Sequence, residues 1–330
     1  THGPTVRVWD AATGTEVGSV VPGRRERPAA AYSPDGKWIL TGGMDDLVDL
    51  IDAETLQVVE TWRASGGYIF TAAWTPDGRR GLTITGSGNL DVWDMVARKL
   101  EKTIQAHDSY SWRVVVTADG RRAATAGNDL TFKLWDLDAG AELRTGCGHQ
   151  DSVTNVALSP DGTKAVTVSL DRTARVWDLA GGMDRAEMRG HFGDASHLEV
   201  VRDGSRVLSS SLTDGSLRLW DLDFLLEVAS IRTQRPVRDA EPFADGRRAA
   251  SVGDDGALRI WDLGAGKELA ALPGHMGMAM SVAVSPDGTR ALTGDQVGWL
   301  RHWDLVEKRQ LLAMPVHKGW TGEVLFFRAG

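Results

Sequence analysis

The chain has 330 residues, 42% hydrophobic and 25% charged, with 38 glycines, a composition that belongs to packed globular chains and excludes disordered, collagen-like and disulfide-stapled ones. Its 37 lysines and arginines against 45 aspartates and glutamates give a net charge of −8, so the chain as a whole lacks the basic footprint of a nucleic-acid binder. Cys147 is the single cysteine, which excludes an internal disulfide and any site needing two thiolate ligands; it permits a reducing compartment, and a cytoplasmic location is the expectation. No apolar run approaches the roughly 20 residues of a membrane-spanning helix, so membrane insertion is not expected. From Thr1 onward no targeting signal is visible.

Taken along the chain, glycines at 36, 78, 120, 162, 204, 246, 288 and 330 recur every 42 residues. Several close a turn, as in Ser33-Pro34-Asp35-Gly36, Thr75-Pro76-Asp77-Gly78, Ser159-Pro160-Asp161-Gly162 and Ser285-Pro286-Asp287-Gly288, where proline presets φ and Asp-Gly completes the bend. A second landmark is Trp-Asp, beginning at Trp9, Trp93, Trp135, Trp177, Trp220, Trp261 and Trp303, with Ile51-Asp52 in the remaining slot. A third is a histidine about 28 residues earlier, at His107, His149, His191, His275 and His317, usually behind a glycine. In the fourth repeat, residues 153–158, 164–168, 173–177 and a weaker run at 184–189 have strand character between turn signals, and no segment has a convincing helical period.

These landmarks resemble the WD-repeat family of β-propellers, over essentially the whole chain. The resemblance implies an all-β fold of four-stranded antiparallel blades. Eight periods exceed the chain by six residues, the length of one strand. The expectation is therefore an eight-bladed ring, with blades at 23–64, 65–106, 107–148, 149–190, 191–232, 233–274 and 275–316, closed by 317–330 joined with 1–22. The closing blade lacks one strand here, expected just before Thr1; seven complete blades with orphan ends is the alternative.

Ten residues before each tryptophan slot stands Thr41, Thr83, Thr125, Thr167, Ser210, Ser251 or Thr293. Three repeats carry a full set: His107, Thr125, Asp129, Trp135; His149, Thr167, Asp171, Trp177; and His191, Ser210, Asp214, Trp220. The residue types suggest a nucleophile, a base and an orienting acid. Repetition around a ring, with serine exchanging for threonine, argues instead for structure. The resemblance implies a buried chain in which aspartate holds histidine, histidine engages the hydroxyl, and the hydroxyl accepts from the indole N–H. Ser87 or Val297 at the aspartate position, and Ser65 or Thr233 at the histidine position, mark incomplete copies expected to be less rigid.

No metal-ligand spacing remains among the other histidines, and Asp45-Asp46 and Asp254-Asp255-Gly256 lack the alternating ligands of a calcium loop. Gly86-Ser87-Gly88-Asn89 is a hairpin turn rather than a phosphate loop. No cofactor is expected. Two residues before the tryptophan slot stand Arg7, Asp49, Asp91, Lys133, Arg175, Arg218, Arg259 and Arg301, expected to stack or hydrogen-bond between blades. Arg113, Asn155, His197, Asp239 and Glu323, with Glu199 and Glu241, are expected to line a central channel filled by water, a small ligand or ion there being the alternative.

Where the scaffold leaves the residue free, at the rim three and five positions past the histidine slot, the chain carries Tyr68, Phe70, Tyr110, Trp112, Met278, Met280 and Trp320, with Trp299 in a neighbouring loop and Arg24, Arg25 and Arg27 between them. Aromatic, methionine and arginine side chains are enriched at interface hot spots. This arc is the expected partner-binding surface; the alternative is that several of these side chains turn inward and pack under the rim. The expected function is a non-catalytic scaffold binding a protein or peptide, within a monomeric domain of a larger protein. The alternatives are a sensory or autoinhibitory module of a signalling protein and, remotely, a ligand-binding or enzymatic propeller.

Overall fold

A computed structural model describes residues 5–10, 15–23, 25, 29–181, 183–201, 203–233 and 235–316. The Asp-Gly turns come first in the logic of the fold. In each described turn glycine takes a left-handed conformation, φ 70° at Gly36, and where a Ser or Thr stands three residues before it the hydroxyl donates to the turn aspartate, at 2.6 Å for Ser33 to Asp35 and 2.7 Å for Thr75 to Asp77; Val201 and Phe243 take that place before Gly204 and Gly246. Each clasp folds two strands back on one another.

Seven four-stranded antiparallel sheets result, each following chain order from first strand to fourth. Sheet 4 consists of Val153–Leu158, Lys164–Ser169, Thr173–Asp178 and Met183–Arg189. The others run over 29–63 (sheet 1), 69–105 (sheet 2), 111–146 (sheet 3), 195–232 (sheet 5), 237–273 (sheet 6) and 279–315 (sheet 7). Val6–Trp9 and Glu16–Val20 form a further two-stranded sheet. The residues expected to close the ring, 317–330, lie outside the described residues.

Second and third strands are buried on both faces, as at Lys164–Ser169 and Thr173–Asp178, because a neighbouring sheet covers each side. Fourth strands alternate outward, as at Lys99–Gln105. Six apolar clusters fill the spaces between successive sheets. Each receives a tryptophan from the later sheet: Trp177, for example, packs with Phe132, Leu134 and Ala126 of sheet 3. Beside each such tryptophan the third and fourth strands slip register, at Val176/Trp177 in sheet 4, which turns the indole toward the preceding sheet. First strands of successive sheets are neighbours along the inner edge.

Candidate functional site

Two groups of side chains depart from plain sheet packing: the buried polar chains, and an aromatic surface on the rim of sheets 2 and 3. The buried chains begin at the second strand, whose central hydroxyl lies beneath the tryptophan of the third. In sheet 3, Trp135 Nε1 donates to Thr125 Oγ1 at 3.0 Å, His107 Nε2 meets the same oxygen at 2.8 Å, and His107 Nδ1 meets Asp129 at 2.9 Å. Sheet 4 repeats this with Trp177, Thr167, His149 and Asp171 at 2.9, 2.8 and 2.8 Å. Burial raises the Asp171 carboxyl, but hydrogen bonds from His149, from the Thr173 hydroxyl and from the Gln150 N–H outweigh it and hold the group well below the ordinary range.

Sheet 5 corrects the expected set. The hydroxyl that receives Trp220 Nε1 at 2.8 Å and His191 Nε2 at 2.7 Å is Ser209, not Ser210. Ser209 pairs with Arg218 across the strands, as Thr167 pairs with Arg175, so the hairpin before Trp220 is one residue longer and counting ten back from tryptophan stops one residue short. Ser210 is buried, and its hydroxyl has no partner among the described residues. Counting forward from histidine finds the right residue, because Thr125, Thr167, Ser209 and Thr293 each stand 18 residues after theirs. Asp214 reaches His191 mainly through Ser216, whose hydroxyl lies 2.9 Å from Nδ1 and 2.6 Å from Asp214.

Sheet 7 holds a fourth chain where Val297 suggested a gap. Asp295, at the end of the second strand, meets His275 Nδ1 at 2.8 Å; His275 Nε2 meets Thr293 at 2.6 Å, and Trp303 donates to Thr293 at 2.8 Å. In all four chains the hydroxyl is fully buried and already engaged twice, so no substrate can reach it.

The basic column holds each sheet together rather than bridging between sheets. Arg7 pairs with Glu16 and Arg175 with Glu187, both at 2.8 Å, Lys133 with Glu142 at 3.3 Å, and Arg218 pairs with Glu227, all across to the next strand of the same sheet. Gly148 and Gly190 stand where a Cβ would come within 2.7 Å and 2.5 Å of the Arg175 and Arg218 guanidinium groups, so a side chain there would push those guanidinium ends aside.

On the inner edge the polar residues do more than face water. Asp239 and Glu241 of sheet 6 accept from the backbone N–H of Val282 and Val284 of sheet 7, at 2.9 and 2.7 Å. His197 Nδ1 lies 3.1 Å from Asp239, and Arg113 lies 3.9 Å from Glu199. Burial, against the Val284 bond and with Glu199 and Asp239 adding to it, pushes the Glu241 carboxyl up to about 8. Among the described residues no group of three or more histidines, cysteines or carboxylates is placed to hold a metal ion.

Of the expected rim residues, the structure brings Phe70, Tyr110 and Trp112 together. Phe70 lies 5.4 Å from Trp112 and 5.9 Å from Tyr110, and the Tyr110 and Trp112 rings stack at 6.3 Å. Phe70 turns under and joins the core between sheets 2 and 3, while Tyr110 and Trp112 remain 45% and 38% exposed. Tyr68 is exposed, and its carbonyl accepts from Gly86 N at 2.7 Å, the glycine over which Phe70 and Tyr110 pack. Trp299 is exposed, with the Arg301 guanidinium 6.0 Å from its ring. Met278 is half-buried beside Arg238, which also binds Asp254; Met280 is half-buried, and Arg25 is exposed. No ring contact joins Trp299 to the aromatic group among the described residues. Arg24, Arg27, His317, Trp320 and Glu323 lie outside them.

The family model described as WD domain, G-beta repeat, matches residues 28–52, 98–136, 140–178, 182–221, 228–262 and 266–304. A crystal structure of the computationally designed Ika8 protein superimposes with a TM-score of 0.81, at 22% identity, over 92% of this chain and 91% of that one, a likeness of fold. No curated protein matches the chain.

Proposed function

The chain belongs to the WD-repeat family, and on that premise we propose that it is a non-catalytic interaction domain binding a peptide or protein through the aromatic surface of sheets 2 and 3. Tyr110 and Trp112, stacked on each other and propped from below by Phe70, carry this reading. Rings held in place by packing lose little freedom on binding, and Tyr110, in the loop entering the sheet, and Trp112, at the start of its first strand, stay exposed where the core does not need them. Tyr68 extends the surface, and Arg25 is exposed on the sheet 1 side. The same proposal assigns Met278, Met280, Trp299, Trp320, Arg24 and Arg27 to the continuing arc. It also takes the two strands at Val6–Trp9 and Glu16–Val20 as part of an eighth blade completed by 317–330, in a domain that works in the cytoplasm.

The family's general role in protein–protein association supports the reading, as do the buried and doubly engaged hydroxyls of the four complete polar chains, which are not placed to act as nucleophiles. The test compares wild type with Tyr110→Ala/Trp112→Ala in capture of partners from source lysate. The expected result is a partner retained by the wild type and weakened at least about tenfold by the variant, with thermal unfolding nearly unchanged. Identical partners on both proteins would make the rings structural.

A further inference from the structure

Sheet 6 is assembled like the sheets with complete polar chains, except for one member. Ser251 accepts from the Trp261 indole at 2.7 Å. Four residues on, Asp255 accepts from Ala257 N at 3.1 Å, as Asp171 does from Thr173 N at 2.9 Å. The histidine position is Thr233, and its hydroxyl turns away to Gly215 O at 2.7 Å. The link leading to it is one residue short: Thr233 follows directly on Arg232 at the end of the fourth strand, where Arg189 is followed by Gly190 and then His191. Between Ser251 and Asp255 lies a narrow cleft, walled also by Pro236, Val237, Thr233 and Arg259, with room for about one water molecule while the Arg259 side chain lies across it.

Those walls define the chemistry of an occupant. The Ser251 oxygen already accepts from Trp261, so its own proton is left to give, and it finds no acceptor among the described residues. Asp255 offers only acceptors. A group spanning the two must be flat, accept on one side and donate on the other, as His149 does between Thr167 and Asp171. Guanidinium and ammonium groups only donate. Arg259 accordingly satisfies one wall, donating to Asp255 Oδ2 from both Nε, at 3.1 Å, and Nη2, while its Nη1 keeps Glu268 as a second partner, so an occupant must displace it.

We propose that this cleft is a binding site for an imidazole-class ring, held between the Ser251 hydroxyl and the Asp255 carboxylate, with Arg259 swinging back to Glu268 to admit it. The site is independent of the aromatic surface. Its occupant is either a small heteroaromatic molecule or the histidine side chain of a partner, and both present the same edge.

Thermal unfolding with added imidazole, 1-methylimidazole or N-acetylhistidine amide tests the site in wild type, Thr233→His and Ser251→Ala. Imidazole should raise the wild-type Tm saturably, by roughly 2 °C at ten times its Kd. The 1-methyl compound, which has no N–H for Asp255, should not. Thr233→His supplies its own ring and should lose the response; Ser251→Ala loses it without refilling the cleft, which keeps the test valid if Thr233→His folds poorly. Response to imidazole alone assigns a small molecule, and response to the histidine amide assigns a side chain. No saturable rise, or an equal rise in both variants or with 1-methylimidazole, would overturn the proposal.

Discussion

Sheets 4 and 6 share a turn pattern, a buried tryptophan and a hydroxyl beneath it, yet they manage charge in opposite ways. Sheet 4 sinks one carboxylate, Asp171, among donors, and its inner strand reaches sheet 5 through a neutral bond from Thr154 to Ala195 O at 3.1 Å. Sheet 6 lacks the histidine, gives Asp255 to Arg259, and fastens its inner strand to sheet 7 with Asp239 and Glu241. A buried carboxylate therefore stabilises when enough donors surround it, as at Asp171, and costs stability when burial outweighs its single bond, as at Glu241, where Glu199 and Asp239 add to the penalty.

Breaking the polar chain of sheet 4 should have the largest effect. His149→Ala leaves Thr167 and Asp171 without their shared partner, and the expected cost is about 3 kcal/mol in denaturant unfolding. Hydrogen exchange should rise first in sheet 4, while partner capture through Tyr110 and Trp112 stays intact.

The two sheets should also respond to pH with opposite sign. The depressed carboxyl of Asp171 contributes stability that is present above the unfolded value near 4 and is lost as pH falls below it. Glu241 is raised, so the folded state holds the extra proton between about 4.5 and 8 and stability falls as pH climbs through that window. Glu241→Gln should remove that loss, on the order of 2 kcal/mol between pH 5 and pH 9 in urea unfolding. A variant as pH-sensitive as the wild type over this range would shift attention to His197, Glu199 and Asp239 beside it.

A smaller effect sharpens the same comparison within sheet 5. Ser209→Ala should cost about 1–2 kcal/mol, because His191 and Trp220 both lose an acceptor or donor. Ser210→Ala should change stability by less than about 0.5 kcal/mol, since its hydroxyl has no partner among the described residues to lose. Equal costs would return the anchor to Ser210.

Much of this was legible in the sequence because the fold repeats and repetition averages out local ambiguity. The 42-residue glycines, the Trp-Asp pairs and the sets built on His107 and His149 fall where counting places them. Counting failed where one residue was inserted, before Trp220, and where a different position supplied the same chemistry, as Asp295 does for Val297. The basic column was misassigned because period-two reasoning gives the face of a strand but not the partner on it. The spacing of nine from Arg7 to Glu16, Lys133 to Glu142 and Arg218 to Glu227 carried that information. Whether a rim aromatic stays out or turns under depends on neighbouring sheets, which is why Phe70 and Trp112 hold the same place in their repeats while Phe70 joins the core and Trp112 stays exposed.

The longer hairpin of sheet 5 also shows where this chain tolerates a change of length. Its extra residue lies between paired strands, with Thr213 exposed, and the pairs on either side keep their partners. One residue fewer before Thr233 restores the phase, so Gly204 and Gly246 remain 42 apart. Length errors are thus contained within one repeat instead of accumulating along the chain. A peptide tag spliced at Thr213 would be absorbed in the same way, whereas one spliced into a Ser-Pro-Asp-Gly turn would open the clasp that folds two strands together.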